Sequence, residues 1–273
     1  MKPKFTVIIP TLNEEKYLPN LLDSLITQHL KNFDVVVVDG SSKDKTVVIA
    51  NSYKRKLKGM KVIVSKKASL PLQRNMGATS SKGEWLAFID ADSVLMPSFF
   101  ERVTEYIKEN KPQLLTTWMR PDSEVGGDAL ITLFGNMVLE STLLVKKSVS
   151  PGPLTLVSRK AFNKVKGYDE AHEFHEDMDF GLRLKKHNIN LSIVKESLFV
   201  WSLRRMRKQG SLKVLREMAM AALPILFFNK TYKKWPGYIM GGHMYDKKKR
   251  PIKKSTLKNF EKKLKKIVKE AFG

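Results

Sequence analysis

The alternation of strand-like and helix-like patterns over the first 118 residues constrains the fold of this chain more than any other feature. Short apolar runs of strand length are separated by segments whose apolar residues recur at helical spacing. This order predicts an α/β fold with a mainly parallel sheet flanked by helices. The strands are predicted at residues 5–9, 33–38, 61–65, 85–89 and 113–118. The helices between them are predicted at residues 15–28, 43–57, 71–80 and 97–110.

The pattern is less regular after residue 119. Helices are predicted at 128–145 and 177–187, and strands at 154–157 and 191–201. From residue 202 onward the chain is basic and mostly helical in pattern, with a break that contains Pro and Gly around 235–242.

Charge is the most unusual part of the composition. The chain of 273 residues carries a formal charge of +23. Residues 201–273 hold 21 Lys and Arg against 4 Asp and Glu, a net of +17. This imbalance predicts an acidic partner for the C-terminal region, such as anionic lipid, nucleic acid or a phosphorylated substrate.

Composition also excludes several classes of protein. There is no cysteine, which excludes disulfides, thiolate catalysis and zinc–thiolate sites. The sequence contains no window of 18 uncharged apolar residues, so no transmembrane helix is predicted. The N-terminus leads directly into a predicted strand, which is too short for a signal-peptide core. We therefore expect a cytoplasmic protein.

Polar residues follow three of the predicted strands. In open parallel sheets, ligands bind beyond the carboxyl ends of the strands. Asp39 follows the second strand and is placed to accept hydrogen bonds from a nucleotide's ribose or base. Asn13 and Ser42 lie in the same kind of position, where helix capping is the simpler interpretation. No glycine-rich dinucleotide or P-loop motif is present, so neither a nicotinamide cofactor nor ATP hydrolysis is indicated.

Two carboxylates, Asp90 and Asp92, end the apolar run of residues 85–89. Alternate residues of an extended segment project to the same side, so both side chains can reach one ligand. Hard oxygen ligands at this position suit an Mg²⁺ or Mn²⁺ ion that also binds the oxygens of a diphosphate.

The order of these motifs resembles that of the family 2 glycosyltransferases, which have the GT-A fold. The resemblance covers roughly residues 4–210. Residues 7–15 and 38–46 are similar to the family's nucleotide-contacting segments. Residues 74–78 are similar to the helix that precedes the family's Asp-x-Asp pair. Residues 83–92 match the strand and the Asp-x-Asp pair itself.

The second half of the chain resembles the acceptor side of that family. Gly152, residues 158–162 and residues 167–170 are similar to its acceptor-binding stretch. Residues 175–180 resemble its Glu-Asp motif, in which Asp177 takes the place of the catalytic base. Residues 204–210 resemble its Arg-bearing segment, but the Gln-x-x-Arg-Trp pattern of processive synthases is absent, which favours transfer of a single sugar.

The resemblance implies a metal-dependent, inverting glycosyltransferase. It would move a sugar from a UDP- or GDP-type donor to a glycan, lipid-linked or polyprenyl-phosphate acceptor. Asp177 would be the catalytic base, with Mg²⁺ or Mn²⁺ held by Asp90 and Asp92. The donor residues implied are Pro10, Thr11, Asn13, Glu14, Asp39, Ser41, Arg74, Asp90, Arg204 and Arg205. The acceptor residues implied are Gly152, Arg159 and Glu176.

This interpretation divides the chain into three parts. Residues 1–118 form the nucleotide-sugar half, and residues 119–200 form the acceptor-binding and catalytic half of the same GT-A domain. Residues 201–273 form a basic, mostly helical C-terminal extension.

The C-terminal extension has two features of a membrane-surface segment. Residues 218–228 form an apolar run too short to span a bilayer. Further on, apolar residues share one helical face and lysines fill the other, which predicts an interfacial helix on the cytoplasmic face of an anionic membrane. The alternative is a terminal helix that packs on its own domain. The apolar residues of that face are Leu257, Phe260, Leu264, Ile267, Val268 and Ala271.

Two other classes of function compete with the glycosyltransferase. A nucleic-acid binder would use the basic extension, but the chain has no recognised nucleic-acid motif, so this partner is not favoured. A sugar nucleotidyltransferase would need a glycine-rich loop with an arginine after the first strand, where this chain has residues 11–16.

Overall fold

A single eight-stranded sheet organises the computed structural model, which describes residues 4–144, 150–228, 230–234 and 241–245. In space the strands follow the order 3-2-1-4-7-6-8-5. The strands are β1 (Phe5–Thr11), β2 (Phe33–Asp39), β3 (Lys61–Val64), β4 (Trp85–Ile89), β5 (Val94–Leu95), β6 (Leu114–Pro121), β7 (Leu154–Ser158) and β8 (Leu191–Trp201).

Helices of the described residues connect these strands. They are α1 (Leu18–Ile26), α2 (Thr46–Ser52), α3 (Leu70–Thr79), α4 (Phe99–Asn110), α5 (Gly126–Leu144), α6 (Arg159–Lys164), α7 (Glu176–Lys186), α8 (Arg204–Gln209) and α9 (Ser211–Phe228). Short 3₁₀ turns lie at Tyr53–Arg55 and Gly242–Tyr245.

The sheet is mainly parallel, as predicted. β1, β2, β3, β4, β6 and β8 share one direction, whereas β5 and β7 run the opposite way. β7 lies antiparallel between β4 and β6. The second half of the chain therefore extends the sheet begun by the first half, and residues from both halves meet at its edge.

Both faces of the sheet are covered, which explains why β1, β2 and β4 are apolar almost throughout. Val7 and Ile9 of β1 face one cluster, which contains Leu21 of α1 and Phe100 of α4. Ile8 faces the other side. That second cluster contains Phe88, Phe162, Tyr168, Phe180 and Leu184.

Several predicted bounds differ from those of the structure. The predicted strands at 85–89 and 191–201 coincide with β4 and β8. In contrast, α1 begins at Leu18 rather than residue 15, and the predicted helix at 43–57 is the short α2 followed by a 3₁₀ turn. The loops before α1 and α2 bind each other, because the Glu15 N–H donates to Asp44 and the Lys45 N–H donates to Glu15, which holds this backbone outside the helices. Sequence analysis did not predict α6 or β5.

Beyond α9, two short segments return to the domain. The backbone N–H groups of Glu173 and Phe174 donate to the Lys233 carbonyl at 2.8 and 3.1 Å. The Lys208 ammonium donates to the Met244 carbonyl. The predicted interfacial helix lies outside the described residues. Within the described part of the chain, no helix is long and apolar enough to cross a membrane.

Candidate active site

A cleft of about 270 Å³ opens at the carboxyl ends of β1 and β4. The parallel register of β1 and β2 sets Thr11 beside Asp39, so the loops that follow both strands emerge at the same edge of the sheet. The cleft walls combine these loops with residues that follow β8. Residues from the predicted donor set that line it are Pro10, Thr11, Glu14, Asp90, Arg204 and Arg205, together with the predicted metal ligand Asp92.

Asp39 ties the first two loops together. Its carboxylate is fully buried and accepts hydrogen bonds from the Thr11 hydroxyl at 3.0 Å and from the Ser42 N–H at 2.8 Å. The Asn13 N–H donates to the Ser42 hydroxyl oxygen at 2.7 Å. The helices begin after Tyr17 and Lys45, so Asn13 and Ser42 are not N-caps, and the simpler interpretation of these two residues is wrong.

Two residues of this loop pair have unusual backbones. Asn13 and Ser41 adopt positive φ values of 54° and 63°. The Ser41 hydroxyl donates to the Ser65 carbonyl at 2.7 Å, and the Asn13 side-chain oxygen accepts the Lys43 N–H at 2.7 Å. These side chains hold a strained loop conformation at the mouth of the sheet, as is common where a ligand is held by the backbone.

Gln73 is a cleft residue that sequence analysis missed. Its side-chain amide donates to the carbonyls of Thr11 at 2.9 Å and Val38 at 2.7 Å. It therefore holds the ends of β1 and β2 together from α3. The signal was present, because Gln73, Arg74 and Gly77 share the helical face that packs on the sheet.

Arg74 is a buried cation that binds three separate segments. Its guanidinium donates to Glu176 at 2.9 Å, to the Gly152 carbonyl at 3.1 Å and to Asp90 at 3.4 Å. The side chain is 1% exposed and lies over the Tyr168 ring. This contact brings the predicted metal pair, the predicted acceptor residue Glu176 and the start of α7 into one network.

Arg204 forms the second cationic centre. It donates two hydrogen bonds to the buried Glu14 carboxylate, at 2.7 and 2.9 Å, and its Nε lies 2.9 Å from Asp92. The guanidinium stacks on the Tyr17 ring at 4.4 Å, and Gly242 packs so closely against it that a Cβ there would overlap it. Arg205 lines the same cleft and contacts Gln209 and Glu217.

Asp177 lies in the first turn of α7, next to Glu176, which binds Arg74. Its carboxylate accepts the Met178 N–H at 2.7 Å, and a Cβ at Gly152 would lie 2.9 Å from its other oxygen. Burial raises the pKa of Asp177 well above its ordinary value, the Glu176 carboxylate adds to the rise, and Arg74 opposes it. A carboxylate with a raised pKa is a better proton acceptor, which suits a general base.

His175 precedes α7 and carries no charge near neutral pH. Burial lowers its pKa to about 4, and the neighbouring His172 adds to the effect. Its Nδ1 accepts the Tyr232 N–H at 3.4 Å, so one of the returning C-terminal segments braces the start of α7.

The carboxylates of the cleft fit a divalent cation. Burial raises the pKa of Asp90 to about 7 and also raises the pKa of Asp92. Arg74 and Arg204 counter the rise for Asp90. Asp90 and Asp92 are hard oxygen donors, and their ionised forms are disfavoured where they lie. A nearby positive charge would stabilise the ionised forms, so the two residues fit Mg²⁺ or Mn²⁺.

A second acidic cluster lies outside the cleft, formed by Asp169, His172 and Asp179. His172 Nδ1 lies 2.9 Å from an Asp169 oxygen, and Arg183 donates to Asp179 at 2.7 Å. These contacts already satisfy most of the polar atoms, so hydrogen bonding and an ion pair account for the cluster without a metal.

The structure places Arg159, a predicted acceptor residue, away from the cleft. It donates to the carbonyls of Gly83 at 2.6 Å and Ala78 at 3.1 Å, and to the Ser81 hydroxyl. Gly83 precedes β4, whereas Asp90 follows it, so Arg159 lies at the opposite end of that strand. Its contacts fasten the turn between α3 and β4.

Known proteins resemble both this sequence and this fold. Residues 6–166, more than half of the chain, match the family described as Glycosyl transferase family 2. The chain belongs to that family. A protein named only as an uncharacterised glycosyltransferase from Haemophilus influenzae is 29% identical over 183 residues, which cover 66% of this chain and 61% of that protein.

Solved structures resemble the fold. The Staphylococcus aureus TarS fragment 1–349 in complex with UDP-GlcNAc has a TM-score of 0.61 and 26% identity, covering 73% of this chain and 58% of that one. A Pyrobaculum calidifontis mannosyltransferase in complex with GDP-Man and Mn²⁺ has a TM-score of 0.63 at 17% identity, covering 83% and 68%. The predicted GT-A fold is confirmed. Full-length TarS, a poly(ribitol-phosphate) β-N-acetylglucosaminyltransferase, is matched over 36% of its length.

Proposed function

We propose that this protein transfers one sugar from a nucleotide-diphosphate sugar to an acceptor, with inversion at the anomeric carbon. The observation that carries the proposal is the Arg74 network, which joins Asp90 to the first turn of α7, where Asp177 lies. An inverting transfer needs charge stabilisation at the leaving diphosphate and a base at the attacking oxygen. This network connects residues suited to both tasks.

The donor would bind at the carboxyl ends of β1, β2 and β4. Asp39 is fully buried, so it would act by holding the loops after β1 and β2, and those loops would contact the nucleoside, as the family resemblance implies. Arg204 and Arg205 line the cleft and provide planar donors that suit phosphate oxygens. The relatives bound to UDP-GlcNAc and GDP-Man support a UDP- or GDP-type donor.

The metal would be held chiefly by Asp92 with help from Asp90. A divalent ion there supplies positive charge that neutralises the departing diphosphate. Arg204 contacts the Asp92 carboxylate directly, so the surroundings of this carboxylate already suit a positive charge. The Mn²⁺ in the Pyrobaculum structure supports this type of cofactor.

Asp177 would remove the proton from an acceptor hydroxyl as its oxygen attacks the anomeric carbon. A single displacement with one base inverts the stereocentre, by the logic that governs inverting glycosidases. The acceptor would be a glycan or a lipid-linked sugar. A polyprenyl-phosphate acceptor is the alternative, and because its oxygen is already ionised, Arg204 and Arg205 would then matter more than the base.

A donor screen tests this proposal. We expect release of a nucleoside diphosphate from a UDP- or GDP-sugar in the presence of Mn²⁺ or Mg²⁺, and loss of that release in excess chelator. Asp92→Asn should abolish the metal-dependent activity, whereas Asp23→Asn, the same change at an exposed carboxylate of α1, should retain it. Full activity of Asp92→Asn, or activity that survives chelation, would contradict the metal site. A melting temperature unmoved by any nucleoside diphosphate with Mn²⁺ would contradict the donor class.

A further inference from the structure

In the helix α5, polar residues lie on the buried face and apolar residues on the exposed face, the reverse of an ordinary surface helix. Its polar side chains face the protein, where Asn136 is 7% exposed and bonds both the N–H and the carbonyl of Met119 at 3.0 and 2.9 Å. Glu140 accepts the Trp118 indole N–H at 2.8 Å, and Thr132 is 3% exposed. The opposite, outward face is apolar. It consists of Leu130, Leu133, Phe134, Met137 and Val138, which are 37–62% exposed.

These five residues form one stripe. They follow the i, i+3, i+4, i+7, i+8 spacing of a single helical face. Single exposed apolar residues are normal on a protein surface, but a contiguous patch marks an interaction site. No charged residue occurs between residues 129 and 139. We therefore expect the outer face of α5, defined by these five residues, to contact an apolar surface.

The charges around this face favour an anionic neighbour. The two acids at its ends are each matched by a cation, since Arg207 lies 3.4 Å from Asp128 and Lys195 lies 2.8 Å from Glu140. Arg120 of the adjoining strand β6 is exposed, and Lys146 and Lys147 follow α5 in the sequence. The ion pairs neutralise the acids at the ends of the stripe and the chain as a whole carries +23, so this apolar stripe is complementary to an anionic lipid surface.

Net charge argues against a second copy of the chain as the neighbour. Each copy carries +23, so pairing two copies would bring strongly repelling molecules together. A lipid surface with anionic headgroups avoids this repulsion, attracts the positive chain and covers the apolar stripe.

We propose that the outer face of α5 docks on an anionic membrane surface, with its apolar side chains at the boundary between headgroups and acyl chains. On its other side, Ile131 of α5 packs against a cluster that contains Leu203 and Met206. Arg204 and Arg205 of the same segment line the cleft. The docked face therefore lies one helix away from the cleft. This inference does not depend on the reaction that the cleft performs.

The absence of cysteine gives a direct test, because a single introduced cysteine can be labelled without background. Met137→Cys, labelled with an environment-sensitive fluorophore, should shift its emission to the blue on addition of vesicles that contain phosphatidylglycerol. Quenchers on the lipid acyl chains should reduce that emission. Val48→Cys on α2, at a side chain that is 70% exposed, is the matched control and should respond to neither. The response at residue 137 should disappear with neutral vesicles and weaken with salt.

A second variant tests the energetics of the same face. Leu133→Gln with Met137→Gln should weaken vesicle binding by about tenfold or more, whereas Val48→Gln should not change it. Both positions of the double variant are more than half exposed, so the fold should survive, which circular dichroism would verify. Vesicle binding with a water-like signal at residue 137 would overturn the proposal. So would a blue shift at 137 without vesicles that rises with protein concentration alongside a dimer in ultracentrifugation.

Discussion

Arg74 explains why residues far apart in the sequence share one buried network that reaches the cleft at Asp90. Its guanidinium binds Glu176, Asp90 and the Gly152 carbonyl, which belong to three separate segments. A buried charge with several oxygen partners is costly to leave unpaired, so each segment is held in place by the need to satisfy this cation. The cleft geometry therefore depends on a residue that is itself almost inaccessible to solvent.

Gly152→Ala should separate catalysis from donor binding. A Cβ there would lie 2.9 Å from an Asp177 oxygen, and the carboxylate can move aside more easily than the backbone. We expect a folded protein with near-normal donor affinity and turnover lower by about 10²-fold, since small misplacements of a catalytic group have effects of that size. Calorimetric donor titration and initial rates check this result. Unchanged turnover would mean that the position of Asp177 is not critical.

Asp90→Asn should stabilise the metal-free protein at neutral pH. The folded-state pKa of Asp90 is raised from 3.8 to about 7, so its charged form opposes folding above the ordinary pKa. The side chain is 34% exposed and water screens part of the effect, so we expect a gain on the order of 1–2 kcal/mol. The gain should be complete by about pH 7 and vanish below about pH 4, as measured by thermal unfolding in chelator.

The matched control for this prediction is Asp122→Asn. Burial is the largest single influence and would raise the pKa of Asp122, but the hydrogen bonds from Arg207 and the Leu203 N–H, together with the Arg207 charge, outweigh it and the pKa is lowered. That substitution should therefore destabilise the protein above the ordinary pKa of the carboxyl. A pH-independent effect of Asp90→Asn would contradict the electrostatic explanation.

Residue type and strand position predicted which side chains line the cleft better than which contacts they make. Asp90, Asp92 and Arg204 line the cleft because strand ends and the segment after β8 share one edge of the sheet. Arg159 could not be placed from sequence, because its partners are backbone carbonyls of a turn that precedes β4. The role of Gln73 as a bridge between two strand ends was hidden for the same reason.

At the scale of elements, α3 depends on a close approach to the sheet. A Cβ at Gly77 would lie 2.4 Å from Ile8 on β1, so glycine lets this helix pack directly on the strand. The same helix carries Arg74 and Gln73, so its distance from the sheet determines where both side chains reach.

Gly77→Ala should destabilise the protein by about 1–3 kcal/mol, the usual cost of overpacking a core. It should also weaken donor binding, because α3 must move outward with Gln73. Gly135→Ala is the matched change in α5, where the nearest atoms to a new Cβ lie 3.8 Å away. That variant should be neutral or more stable by about 0.5–1 kcal/mol, since alanine favours a helix interior. Chemical denaturation measures the stability of both variants. A Gly77→Ala variant more stable than Gly135→Ala would contradict the close-packing explanation.

Elements were predictable where local pattern and tertiary role agree. β4 coincides with its prediction because its apolar run ends at the charged Asp90, and the bounds of β8 also coincide with the prediction. The start of α1 was predicted too early because the loops before α1 and α2 bind each other, an interaction between segments about 30 residues apart. The intercalation of β7 between β4 and β6 is likewise a long-range choice that no local pattern specifies.

At the scale of the whole molecule, two halves build one sheet and one cleft. The first half contributes Asp90, Asp92 and Arg74, and the second half contributes Asp177 and Glu176. The segment after β8 closes the cleft with Arg204, and returning segments near residues 232 and 242 brace His175 and Arg204. The basic charge of the extension was evident from composition, but these returning contacts could not be predicted because they join short, pattern-free segments.

The central claim is that Asp177 acts as the base for a donor bound in the cleft. The most direct measurement compares donor affinity with turnover in Asp177→Asn, which preserves the shape of the side chain. We predict a donor dissociation constant close to that of the wild type and turnover lower by about 10²-fold or more, the usual scale of general-base catalysis. Loss of donor binding with turnover at saturation retained would place Asp177 in the nucleotide site and contradict this account.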